Sequence, residues 1–236
     1  MMRVTLMGIA LAFSSPRSAL AGYWIDDYNI RQAVAAWLSN PAAAETTYGH
    51  ISTWETEGVT DMSYLFCSYG YLHVSCNTAA ASFNEDIGAW DTSGVTTMRF
   101  MFHVASSFNQ DISAWNVDNV RDMHWMFHSA SSFNQDIGGW SVAQVTNMNN
   151  MFSWASAFDQ DLGWCVGNDV GLVYAFSNTQ CASTWCGVNW ASAARCGGSG
   201  RGTIDDSTIK PAVGGWMSNR VVAEAAYGHI STWKTG

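Results

Sequence analysis

Positive charge is scarce in this chain, and charge of either sign is sparse. Lys and Arg number 10 against 19 Asp and Glu, for a formal net charge of −9. Setting aside Arg3 and Arg17 of the N-terminal leader, 8 basic residues stand against 19 acidic ones. Such a surface repels a nucleic-acid backbone, so no nucleic-acid partner is expected. The apolar stretch Val4 to Phe13 is too short to cross a bilayer. The six cysteines contain no short C-x-x-C knuckle, which argues against zinc. Carboxylates are present but fall on repeated positions. The residues outside the repeat, chiefly Cys, Tyr and Gly of the 67–80 insertion, supply no nucleophile–base set, so no catalytic residue, metal or cofactor is assigned. The chain reads as a non-enzyme. With 48% apolar residues it has ample material for a packed core.

What the chain does have is export signals and a repeat. Arg3, the apolar stretch and Ala19-Leu20-Ala21 give a basic region, a hydrophobic core and a small-x-small cleavage site, which predict a signal peptide over 1–21. The cysteines suit the same destination, because disulfides persist in oxidising compartments. Cys67 and Cys76 bracket an insertion and are the economical pair. Cys165, Cys181, Cys186 and Cys196 allow three pairings that the sequence does not rank.

A period of 25 residues aligns Phe83, Phe108, Phe133 and Phe158; Trp90, Trp115 and Trp140; and Met98, Met123 and Met148. Constant spacing in this range marks stacked units that bury their apolar faces against neighbours. Ile112-x-x-Trp115-x-Val117 has the spacing of a leucine-rich repeat and predicts a strand. Val120, Met123, Met126-Phe127 and Ala130 recur at helical spacing and predict a short helix. The fold class expected is therefore α/β: a curved, leucine-rich-repeat-like solenoid of strand–helix rungs, with an N-terminal helical cap and disulfides. Ile30, Val34, Trp37 and Leu38 supply the cap helix, started at Asp27 or Asn29 and ended at Asn40-Pro41.

The domains expected are a signal peptide over 1–21, a cap over 22–47, the repeat solenoid over 48–187 and a Gly-rich linker over 188–203. From 204 to 236 the cap begins again: Ile204-Asp205-Asp206 through Thr235 repeats Ile25-Asp26-Asp27 through Thr56 at a constant offset of 179. This predicts the truncated start of a second cap and array, and a longer parent protein.

The words Phe-Asn-Gln-Asp-Ile-x-x-Trp-x-Val and Val-Thr-x-Met-x-x-Met-Phe, over about Tyr48 to Phe176, closely resemble the repeat of BspA-like surface proteins. That is the lipoprotein-type leucine-rich-repeat family of about 25 residues that carries a domain of unknown function. The sequence departs from it at Arg121, where the usual residue is Thr, and in the copy after Phe158. The resemblance implies an exported or surface-displayed protein used for adhesion or protein binding. It carries over no catalytic residue.

Repeat proteins bind through side chains that line one face. The outward positions beside the Trp put Glu55, Asp91, Ser93, Asn116, Asp118 and Ser141 on a candidate ligand-binding face. Tyr64, Phe100 and Trp125 recur before the Met/Leu-Phe pair, as either an exposed aromatic stripe or packing against the next copy. Asp86, Asp111, Asp136 and Asp161 align too, as turn caps or, less economically, a calcium row. His103 and His128 align, with Ser153 breaking the row, and read as incidental. The function expected is a secreted or cell-surface binding or adhesion module for an extracellular protein or glycan, with no membrane insertion in this segment. A structural wall or matrix spacer without a defined ligand is the alternative.

Overall fold

The computed structural model describes residues 23–70, 73–191 and 196. The expected signal peptide, most of the expected linker and the expected second cap lie outside these residues.

The cap forms as its apolar spacing dictates. Strand β1 (Trp24–Asp26) leads into helix α1 (Ile30–Ser39), which buries Ile30, Ala33, Val34 and Trp37 on one face. Asn29 stands at its N-cap, but its side chain accepts from the Asp26 amide at 3.1 Å rather than from a helix amide. Asn40 is extended and its side chain caps α2 (Pro41–Tyr48) through the Ala43 amide, so Asn40-Pro41 both ends one helix and starts the next. Strand β2 (Glu55–Gly58) pairs in parallel with β1. Asp27 ties the cap to the first repeat: its carboxylate accepts the Thr60 amide at 2.8 Å, the Asp61 amide at 3.0 Å and the Thr60 hydroxyl.

The repeats themselves overturn the expected α/β solenoid of strand–helix rungs. Among the described residues between β2 and β3 (Cys165–Val166), the only regular element is a 3-10 turn at Thr78–Ser82. Strand pairing there shrinks to single parallel bridges, Asp61 to Thr97 to Asp122 to Asn147 to Gly171. Sheet structure among the described residues amounts to two small parallel pairs, β1–β2 and β3–β4, where β4 is Asn189–Trp190.

The reason lies in where the amides go. In residues 98–105, the N–H groups of Met98, Phe100, Phe102 and Val104 donate to Asp122, His124, Met126 and His128 of the next copy at 2.8–2.9 Å. Those of Met101, His103 and Ala105 donate three residues back within the same copy. An α-helix would spend every one of these amides on its own i−4 carbonyl. Positive φ at Phe100 (57°) and Val104 (60°) breaks any helical run and turns alternate amides sideways. Apolar residues at helical spacing are buried, but on a ribbon of turns.

The predicted strand fails for a similar reason. Trp115 and Val120 donate locally to Ile112 and Val117, closing turns. Lateral bonds there come from side chains: the indoles of Trp90, Trp115 and Trp140 donate to the carbonyls of Ile51, Ile87 and Ile112 at 2.9, 3.1 and 3.2 Å, and the Thr56 and Thr92 hydroxyls to the carbonyls of Asp91 and Asn116 at 3.0 and 2.8 Å. Trp164, one residue early in its copy, has a buried Nε1 without a hydrogen-bond partner among the described residues.

The core is a set of aromatic columns. Phe66, Phe102, Phe127, Phe152 and Phe176 stack with centroids 5.4–5.7 Å apart, and Phe83, Phe108, Phe133 and Phe158 at 6.0 Å. Met98, Met123 and Met148 and their partners Met101, Met126 and Met151 are fully buried between them. Disulfides join Cys67 to Cys76, Cys165 to Cys196 and Cys181 to Cys186. Near the last pair, Gly187 has φ of 76° and a side chain there would collide with the Asp161 carboxylate. No helix among the described residues is long and apolar enough to cross a membrane.

Candidate functional site

The six residues of the candidate ligand face follow the inward–outward alternation set by the buried Trp. Asp91, Ser93, Asn116, Asp118 and Ser141 are exposed and Glu55 is half-buried. Two of them serve their own turns: Asp91 accepts the Ser93 amide and Asn116 the Asp118 amide, each at 2.9 Å. The hydrogen bonds from the Ser93 side chain and backbone hold the Asp91 carboxyl below its ordinary range. A shallow hollow of about 340 Å³ lies beside Glu55, Glu57 and Asp91. The face is small, acidic and open.

The repeated carboxylates act as local caps. Asp86, Asp111 and Asp136 accept the amides of Gly88, Ser113 and Gly138 at 2.9 Å. Ser113 lowers the Asp111 pKa through its side chain first and its backbone second. The neighbouring amides work between copies: Asn84, Asn109 and Asn134 accept the backbone N–H of Asn109, Asn134 and Asp159 at 2.8–2.9 Å. Among the described residues, no group of three or more His, Cys, Asp or Glu is placed to hold a metal ion.

The aromatic stripe is the most organised surface. Tyr64, Phe100 and Trp125 are half-buried and stack on one another, with centroids at 5.0 and 5.7 Å. The rings pack against those of the adjacent copies and are part-exposed. All three have positive φ, as do Asn150 and Tyr174 in the same register. Bulky side chains rarely adopt this conformation, whereas Asn does so readily. A second row of the same kind holds Val104, Ser129, Trp154 and Asn178. Trp154 and Tyr174 are each 59% exposed, and Val173 beside them 58%. Sequence reasoning missed these three: the register mates of Trp154 are Val104, Ser129 and Asn178, so no aromatic row announces it, and Val173 and Tyr174 lie in the irregular copy after Phe158.

A cluster of imidazoles lies against the stripe. His103 is buried, with its ring 5.2 Å from Trp125 and 5.0 Å from His128. His128 stacks on Trp125 at 4.1 Å, and His124 meets Phe100 edge-on at 5.2 Å. His73 stacks on Tyr64 at 4.3 Å. Burial, then the charge of His128, push the His103 pKa from 6.5 to about 4, against the pull of the His128 carbonyl. Burial lowers His128 and His124 as well; for His124, Asp122 opposes and Arg99 reinforces the shift. The register of His103 and His128 was legible in the sequence, but only the fold shows that His103 is buried, and His128 half-buried, against aromatic rings.

The family model described as "Mycoplasma protein of unknown function, DUF285" matches this chain twice, over residues 38–162 and 72–186. No curated protein and no solved structure matches.

Proposed function

Because the chain belongs to the family of Mycoplasma proteins of unknown function DUF285, a repeat-type domain, we propose that it is an exported, non-catalytic binding module. In this reading it recognises an extracellular protein or glycan through residues that vary on a constant repeated frame. One observation carries the proposal. At a single left-handed backbone position the copies place Tyr64, Phe100, Trp125, Asn150 and Tyr174. Asn would satisfy that backbone everywhere, so the aromatic identities serve something other than chain geometry. Inward positions, by contrast, keep the same Phe, Ile, Trp and Met through the copies that begin at Phe83, Phe108 and Phe133, and stay apolar in the flanking ones.

Three disulfides support an oxidising destination, as does the leader-like N-terminal stretch. The resemblance to BspA-like surface repeats supports adhesion as the use. The test is binding of the purified, oxidised chain to immobilised extracellular-matrix proteins and to a glycan panel. Trp154→Asn with Tyr174→Asn removes two exposed rings at positions where neighbouring copies carry Asn. Loss of binding at unchanged thermal stability supports the proposal. Absence of binding by the wild-type chain across both panels favours a spacer.

A further inference from the structure

We propose that His103 and His128 form an acid-sensitive latch between adjacent copies, in which protonation at buried His103, beside half-buried His128, loosens the face that carries Phe100 and Trp125. The inference is independent of any ligand, and its test uses none.

The geometry is that of a cation site without a counter-ion. His103 is 3% exposed, and its Nδ1 has no hydrogen-bond partner among the described residues. Its ring is walled by Tyr69 at 5.8 Å, Phe100 at 5.6 Å, Trp125 at 5.2 Å and His128 at 5.0 Å. The ionisable groups around it come from three copies. The preceding copy supplies Tyr64, Tyr69 and His73; its own supplies Arg99, whose guanidinium lies 5.4 Å from the Tyr64 centroid. The next supplies Asp122, His124 and His128. The Asp122 carboxylate accepts the His124 amide at 3.0 Å and bears on His124, not on His103. A proton on His103 would thus sit in an apolar wall beside a second imidazole, with no carboxylate partner.

The repeat provides its own control. Ser153 and Ser177 occupy the position of His103 and His128 in the following copies, each beside the same buried Phe, Phe152 and Phe176. The fold does not require imidazole there. The copies also share the bond that would report opening: the Val104 amide donates to His128 and the Trp154 amide to Ser177, both at 2.8 Å.

The sign follows from linkage. The His103 pKa is lowered by folding, from 6.5 to about 4, so its contribution is full above 6.5 and is lost as pH falls towards 4. Asp27, Asp91 and Asp111 are also lowered, from 3.8, so their contributions begin to fade only below that value. The two acid effects occupy separate pH windows.

The experiment follows His103 and His128 by side-chain NMR in the intact oxidised chain from pH 7.5 to 3.5, alongside amide exchange corrected for its intrinsic pH dependence. The expected result is titration of His103 near pH 4, with protection at Val104 falling about tenfold or more relative to Trp154 between pH 6.5 and 4. His103→Ser should abolish that differential loss. Titration of His103 near 6.5, parallel loss at Val104 and Trp154, or persistence of the loss in His103→Ser would each overturn the latch. Should the variant not fold, the wild-type titration and the Val104–Trp154 comparison decide alone.

Discussion

The Trp residue of each copy shows how much one atom contributes to this fold. Trp115 uses its indole N–H to reach the Ile87 carbonyl of the preceding copy, whereas Trp164 is equally buried with no such partner. Both lose ring volume when replaced by Phe, so the difference between the two substitutions isolates the hydrogen bond. Trp115→Phe should therefore destabilise the chain by about 1 kcal/mol more than Trp164→Phe, measured by chemical denaturation. Equal losses would mean that the indole bond adds nothing beyond packing. Asp27 gives a second residue-scale case. Burial acts to raise its pKa, but hydrogen bonds from Thr60 and Asp61 and the nearby Arg31 charge together outweigh it and lower the value from 3.8. Its contribution is accordingly present at neutral pH and fades as pH drops below 3.8. Asp27→Ala should remove that dependence and speed amide exchange of Thr60 and Asp61, with α1 retained by circular dichroism.

At the scale of the element, the turn ribbon of residues 98–105 is where sequence and structure part company. Val95, Met98, Met101-Phe102 and Ala105 are all buried, so their burial could be read from spacing alone. The conformation could not, because spacing does not say whether an amide bonds within its own segment or with the next copy. The repeat settles the matter by offering each alternate amide a carbonyl in the neighbour, at the cost of two left-handed residues per copy. Val104 has φ of 60° and is β-branched, while the same register position in a later copy is Asn178 at 62°. Val104→Asn should relieve that strain and stabilise the chain by up to about 1 kcal/mol, set against the loss of partial Val burial. Phe100→Val, which places a branched side chain at φ of 57°, should go the other way by about 1–2 kcal/mol beyond its loss of ring contacts. The candidate site divides in the same manner. Tyr64, Phe100 and Trp125 were visible as a row because they recur at the period. Trp154, Tyr174 and the burial of His103 were not: Trp154 has Val104, Ser129 and Asn178 as register mates, Tyr174 sits in the irregular copy after Phe158, and the third depends on rings brought from adjacent copies.

For the molecule as a whole, each copy packs chiefly on its two neighbours, so resistance to opening is local and the ends need covering. At one end α1 and α2 close the core, secured by Asp27. At the other, the described residues from β3 to β4 lie beside Phe176, with Trp185 6.5 Å from its ring and two of the three disulfides. The sequence left the pairing of those four cysteines open because it depends on a three-dimensional approach: Cys165 lies on β3, and β4 carries the chain back beside it towards Cys196. Cys165–Cys196 spans 31 residues and Cys67–Cys76 only 9. Chain entropy then predicts that Cys165→Ser with Cys196→Ser costs about 3–4 kcal/mol, against about 2–3 for Cys67→Ser with Cys76→Ser. The loss should also be confined in space. The Phe152 and Trp154 amides, bonded to Ala175 and Ser177, should lose exchange protection, whereas Met62 and Phe66, bonded to Thr97 and Met101, should keep theirs. Uniform loss at all four amides would show instead that the copies open as one cooperative unit, with the disulfide stabilising the whole stack rather than its end.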